Sequence, residues 1–248
     1  DAAMMVHPSG RNLIGRASLA VYHINIEFFG KAAHASSFPD KGINALDAVI
    51  LTFNAVNALR QHLRDDARIH GIITHGGDAP NIIPDHTSAS LLVRATDTPY
   101  AQEVLQKVQA CAEAAALATG ARVEIKETGP RYDARLPNPT LVGLAKENME
   151  ALGLDVILAT QDERMGSSDM GNVSQVVPAI HPYIAIGPEE LVGHTPEFRE
   201  AAGSPQGHAG MIAAAKMLAM TVVDLLAEPS NLAAARRTFE EQKSQASG

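Results

Sequence analysis

Between residues 18 and 127 the hydrophobic spacing switches repeatedly between a strand period and a helix period, and the order of the switches leaves few folds open. Residues 18–29, SLAVYHINIEFF, mix apolar–polar alternation with β-branched and aromatic side chains, which predicts a strand. Residues 43–63 carry Leu46, Val49, Ile50, Phe53, Val56, Leu59 and Leu63 at helical spacing. Residues 68–74 and 86–94 read as strands, separated by the turn-forming segment GGDAPNIIP. An alanine-rich helix follows at 99–119, with Gly120 suited to its C-terminal stop. Val123 and Ile125 then alternate with charge over 121–127, as in an edge strand. The order β-α-β-β-α-β is the split βαβ, ferredoxin-like arrangement.

The stretch GPRYDARLPNP at 129–139 marks a boundary. Beyond it the pattern predicts a helix at 140–152, a short strand near 154–159, a loop through GSSDMG and an apolar strand near 182–187. A second loop, GPEELVGHTPEFREAAGSPQG, leads into a long apolar helix at 208–227. The chain therefore reads as α/β in four segments. Residues 1–17 are a short opening piece, 18–128 an α+β ferredoxin-like module, and 129–229 an incomplete α/β portion. Residues 230–248 form a polar tail that is expected to fray.

Composition removes several function classes. The net charge of −8, with basic residues scattered, gives no electrostatic footprint for nucleic acid. No uninterrupted apolar run approaches the ~18 residues of a membrane span, and no signal peptide is visible, so no membrane partner is expected. The single cysteine, Cys111, cannot form an internal disulfide, which points to a reduced, cytoplasmic compartment. Within its alanine-rich helix it reads as a packed thiol or as a nucleophile.

Several polar residues stand where turns would place them. His7, in MMVHPSG, ends a short apolar run, and its neutral imidazole suits either a strand-end cap or a zinc ligand. His194, in VGHTPEF, sits in a loop after a buried strand. His34 follows Gly30 in a strand-to-helix loop and could donate to a developing oxyanion or simply be solvated. Asn81 lies in a proline-flanked turn, and Arg94 ends a strand. Ser167, Ser168 and Asp169 lack an evident base or nucleophile elbow. Glu189–Glu190 reads as a solvated turn.

Two segments, GKAAHASSFPDKGINALDA (30–48) and HGGDAPNIIPDHTSASLLVRA (75–95), together resemble the lid domain of the M20 family of metal-dependent amidohydrolases and peptidases. The string GSSDMGNVS is similar to the matching loop of the aminobenzoyl-glutamate hydrolase and aminoacylase-like branch. The resemblance implies a ferredoxin-like lid inserted into a zinc-peptidase-like α/β catalytic domain, of which only the C-terminal part follows. It further implies a divalent metal, zinc first, with His7 and His194 as ligands. His34 would stabilise the oxyanion, Asn81 and Arg94 would hold the substrate carboxylate, and the lid would form a homodimer. The substrate would be a small amide: a dipeptide or an N-acyl or aminobenzoyl amino acid.

The family's metal centre also needs an H-x-D or C-G-H motif and a Glu-Glu pair ahead of the lid, and this sequence has neither string in that position. The chain thus reads as an N-terminally truncated hydrolase, inactive alone. Two other readings stay open: a non-catalytic dimerisation or ligand-binding module, and a small-molecule-sensing domain of the same topology.

Overall fold

The computed structural model describes residues 1–160, 163 and 165–246. The chain opens with β1 (Ala3–Met4), β2 (His7–Ser9), β3 (Leu13–Ile14) and β4 (Ala20–Phe29). Next come α1 (Ala45–Leu59), β5 (Arg68–His75), β6 (His86–Ala95), α2 (Thr98–Thr119) and β7 (Arg122–Glu127). Then follow α3 (Pro139–Ala151), β8 (Ile157–Leu158), α4 (Met170–Ser174), β9 (Ala179–Ile180) and β10 (Tyr183–Ala185). The chain closes with α5 (Pro196–Ala202), α6 (Pro205–Ala227) and α7 (Pro229–Ala246). These elements form two compact units: Asp1–Ser18 with Arg135–Gly248, and Leu19–Ala134.

The central unit is a four-stranded sheet in the order β5-β6-β4-β7, antiparallel throughout. With strand–helix–strand–strand–helix–strand connectivity, this is the split βαβ arrangement, and β7 is an edge as its charge alternation predicts. Alternation decides the faces. Ile24, Ile26 and Phe28 of β4 and Ala89, Leu91 and Val93 of β6 are buried in one core with α1 and α2. Each large apolar side chain buried there contributes roughly 1.5–3 kcal/mol. The intervening His23, Asn25, Glu27, Ser88, Ser90 and Arg94 are only partly buried, which leaves the opposite face polar. Asn44 starts α1 by accepting the Leu46 N–H at 2.9 Å, and Asp97 starts α2 by accepting from Tyr100. Gly120 ends α2 with φ +76°, the left-handed cap its position predicts.

The other unit is built from short strands. β1 pairs with β9 in parallel, and a second sheet runs β2-β10-β3-β8. Ile14, Leu141, Met149, Ile180, Ile184 and Met217 form its core. α6 has the length and hydropathy of a membrane span, a length that Lys216 and Asp224 conceal in a search for uninterrupted apolar runs. Its Gly207, Gly210, Ala214, Met217 and Thr221 are buried within this unit.

Three expectations are corrected here. The polar tail does not fray through residue 246, because Leu232, Ala235 and Phe239 recur at helical spacing. Ala235 and Phe239 are buried, and Gln242 donates to the Pro137 carbonyl at 3.0 Å. The long loop before the apolar helix contains α5, started by Thr195 Oγ1 accepting from Phe198 N–H. The GSSDMG loop gives way to α4 at Met170, where Ser168 Oγ accepts the Met170 N–H.

Candidate functional site

The two motif segments, some forty residues apart in sequence, are zipped together by backbone hydrogen bonds. Gly30 N–H donates to Asp85 O, and Lys31 and Ile43 exchange both their bonds at 2.9 Å. Ala35 N–H donates to Asn81 O and Ile83 N–H to Ala33 O, both at 3.0 Å, so that His34 pairs directly with Ile82. Gly30 is required for this approach, since a Cβ there would lie 2.1 Å from the Ile43 carbonyl oxygen. The sequence-predicted His34 and Asn81 are thus brought together. A cavity of ≈ 400 Å³ opens beside them, lined by Ala35, Asn44, Gly77, Pro80 and Ile82 among others.

The His34 ring has a defined proton. Ser37 N–H donates to His34 Nδ1 at 3.4 Å, and Ser36 Oγ lies 3.2 Å from the same nitrogen. A backbone N–H can only donate, so Nδ1 accepts and the ring proton sits on Nε2. His34 is exposed, and its Nε2–H is a hydrogen-bond donor.

Arg94 is not brought to this turn. It pairs with Val21 of β4 and Arg68 of β5 at the far end of β6, whereas His86 at the near end pairs with Phe29. Eight residue steps of strand separate His86 from Arg94, a span of about 26 Å.

His7 starts β2 rather than ending a strand, and it is exposed. Its Nδ1 lies 2.7 Å from the Pro8 carbonyl oxygen. A carbonyl only accepts, so Nδ1 carries the proton and Nε2 keeps its lone pair. That is how a metal-binding histidine is oriented by its second nitrogen. Its ring neighbours are His181 and Tyr183, each 5.7 Å away. His194 stands exposed on the loop before α5 with φ 64°, a left-handed backbone uncommon outside glycine. Glu197 lies in the first turn of α5, where its charge complements the helix N-terminus. Among the described residues no three His, Cys, Asp or Glu side chains are grouped to hold a metal. His7 fits one ligand position; the described residues do not complete a site.

The remaining candidates have structural explanations. Cys111 packs against the central core, and burial pushes its thiol pKa up, opposite to what activates a nucleophile. Glu189 and Glu190 are both exposed. Sequence reasoning missed one cluster: Arg16, Arg135, His181 and Tyr183. Arg135 and His181 are buried at 2% and 5% exposure. Burial, then Arg135, His7 and Arg16 in turn, drive the His181 pKa down to about 3. The only signal in the sequence was a histidine within the otherwise apolar run VVPAIHPYIAI.

The family profile of the M20 peptidase dimerisation domain matches residues 14–120. The chain is 39% identical to a mouse Xaa-Arg dipeptidase over 97% of its own length, covering 56% of that protein. Residues 14–120 are an M20 peptidase dimerisation domain. The chain is also 36% identical to a p-aminobenzoyl-glutamate hydrolase component of Escherichia coli, over 57% of this chain and 30% of that protein. The fold matches the crystal structure of an aminobenzoyl-glutamate utilization protein from Klebsiella pneumoniae with a TM-score of 0.72 at 20% identity. That match covers 90% of this chain and 55% of the other. The chain thus spans about half the length of the dipeptidases that it matches along nearly its whole extent.

Proposed function

We propose that this chain is the lid and C-terminal catalytic portion of a metal-dependent M20 hydrolase that cleaves the amide bond of a dipeptide or an N-acyl or aminobenzoyl amino acid. The observation that carries the reading is the locked turn holding His34 beside Asn81 with the ring proton on Nε2. A donor held in place before the reaction is what stabilises the oxyanion of a tetrahedral intermediate. His7, with its Nε2 lone pair exposed, is one ligand of a divalent metal, and His194 is a second. When bound, such a metal polarises the scissile carbonyl and lowers the pKa of its water. A single, partly buried thiol, that of Cys111, accords with a reduced, cytoplasmic setting.

The separation along β6 bears on how the substrate carboxylate is held. An arginine reaches about 7 Å and an asparagine less, well short of the roughly 26 Å of strand beyond His86. Arg94 and Asn81 of one copy therefore grip different substrates. In a homodimer, His34 and Asn81 of one copy serve the site to which the other copy contributes Arg94. The edge strand β5, with Ile72 66% and Ile73 41% exposed, is the face for that pairing, and α1 adds exposed Ile50 and Leu51.

The test is complementation between inactive variants in a protein of the relatives' length. His34→Ala and Arg94→Ala proteins are each expected to be nearly inactive on a dipeptide or p-aminobenzoyl-glutamate. Mixed dimers should regain activity, because one of their two sites receives both native residues. No recovery on mixing would remove the shared site. Activity indifferent to chelators would remove the metal.

A second reading is a non-catalytic dimerisation module, which the dimerisation-domain match over residues 14–120 favours. A chain that dimerises but neither binds zinc nor hydrolyses amides at full length would select it.

A further inference from the structure

The largely buried cluster missed by the sequence is cationic and has no counter-charge among the described residues. His181 stacks on the Tyr183 ring at 5.0 Å, and the Arg16 and Arg135 guanidiniums lie over the same ring at 5.1 and 5.9 Å. Among the described residues neither Arg16 nor Arg135 has a carboxylate within ion-pair distance. Every charge that reaches His181 is itself cationic. Buried arginines are rare without a paired anion, because taking the guanidinium out of water is costly.

The hydrogen bonds say what is wanted. Arg135 Nε and Nη2 donate to Arg16 O at 3.1 and 2.8 Å, and Nη2 also donates to Ala17 O at 3.1 Å and Tyr183 Oη at 3.3 Å. Its Nη1 donates to His181 Nδ1. A guanidinium has no acceptor, so Nδ1 must accept and the His181 proton is placed on Nε2. His181 therefore offers a donor, not a metal-binding lone pair. That Nε2–H is buried without a protein partner, and so is Arg16 Nε–H. Leaving either donor unmet is destabilising. A group that meets these two donors has to accept, and a negative charge suits the surrounding cations. A carboxylate has two accepting oxygens, one for each donor, whereas a phosphate would bury further oxygens with nothing to receive them.

We propose that Arg16, Arg135 and His181 form a binding site for a small-molecule carboxylate, the free carboxylate of an amino acid or short peptide being the natural size. Arg16 Nε–H and His181 Nε2–H bind the oxygens, Arg135 supplies charge and fixes the His181 proton, and exposed His7 lies at the edge. The site stands whether or not the chain belongs to an active hydrolase, since every residue in it is present here.

The experiment is a titration of the purified chain, labelled with ¹⁵N-histidine, with sodium acetate against sodium chloride at equal ionic strength. The His181 Nε2 resonance is expected to move saturably with acetate only. Arg16→Met should weaken acetate binding about tenfold or more, the usual effect of losing a charge-assisted hydrogen bond. Arg16 is only partly buried, so this variant is expected to fold; unfolded protein would be seen in its melting curve. Independently of any variant, acetate should raise the melting temperature of the native chain above that in chloride. A chloride response equal to acetate, an Arg16→Met titration like the native one, or no acetate-dependent rise in melting temperature would each overturn the site. Tighter binding of inorganic phosphate than of acetate would overturn its carboxylate character.

Discussion

The turn around His34 and the cluster around His181 solve the placement of an imidazole in opposite ways. His34 is exposed, and its orientation comes from neighbours two and three residues along the chain. His181 is buried, and its orientation comes from Arg135, 46 residues earlier, and from Tyr183 beneath it. One is held by local turn chemistry and costs little to solvate. The other is held by long-range packing and keeps its imidazole neutral by exclusion of water. A local device can be removed without unfolding the protein, whereas a buried one is tied to stability.

Acid should expose that difference most strongly. His181 has a folded-state pKa near 3 against an ordinary value of 6.5, chiefly because of burial. Depressed in the folded state, it binds its proton more readily when unfolded. Its contribution to stability is therefore full above pH 6.5 and is lost progressively as pH falls towards 3. The slope approaches about 1.4 kcal/mol per pH unit, so the total is on the order of a few kcal/mol. In the central unit the comparable group is Asp66, held near pKa 2 by Thr96 and Arg64 against its own desolvation. Its contribution is present above about pH 4 and lost between about 4 and 2. Urea unfolding across pH should show a steeper loss of stability below pH 6.5 in the native chain than in His181→Gln, where His70, its pKa also lowered by burial, is the histidine left to lose stability over that range. Identical slopes would mean that His181 is not held neutral by the fold.

His34→Ala should reverse the pattern. In a hydrolytically active protein of full family length, kcat is expected to fall by about 10²–10³, the usual cost of one oxyanion donor. KM should change little, and the melting temperature should hardly move, because His34 is exposed. A drop in stability comparable to the drop in rate would make His34 structural.

These contrasts also explain what could be read from the sequence. The β-α-β-β-α-β order was legible because each element declares itself over a window shorter than its own length. The alternation of Ile24, Ile26 and Phe28 and the helical spacing of Val49 and Val56 both survive in the core. The meeting of His34 with Asn81 was legible only through the resemblance, since zipping residues 30–43 to 81–85 is a long-range event. The tail misled because its composition is polar while its burial rests on two residues, Ala235 and Phe239. The Arg135–His181 cluster was illegible: its members come from residues 7, 16, 135, 181 and 183, and no spacing links them.

Gly30 tests how tightly the local device is built. An alanine Cβ would meet the Ile43 oxygen at 2.1 Å, which no L-residue tolerates without moving the Lys31–Ile43 pair. Overpacking of this kind costs roughly 1–3 kcal/mol. Gly30→Ala should lower the urea midpoint with an unchanged m-value and enlarge the spread of His34 orientations seen by imidazole NMR. An unshifted midpoint would show that the two segments can part without loss.

The smallest expected effect lies at Thr195, and it separates a capped loop from a buried cap. Thr195 Oγ1 accepts from Phe198 N–H at 3.2 Å at the exposed start of α5, a helix with no buried residue. Asn138 caps α3 in the same way but is 1% exposed, and its amide also donates to Ala235 O at 2.9 Å. Thr195→Ala should cost about 1 kcal/mol or less. Asn138→Ala should cost more, because it also leaves the Ala235 carbonyl without its side-chain donor. The loop bearing His194 at φ 64° leads directly into this cap. Thr195→Ala should therefore loosen His194 while barely moving the melting temperature, whereas Asn138→Ala should lower that temperature and leave the His194 resonance where it is. Equal thermal costs for the two variants would show that α5 is held by more than its cap.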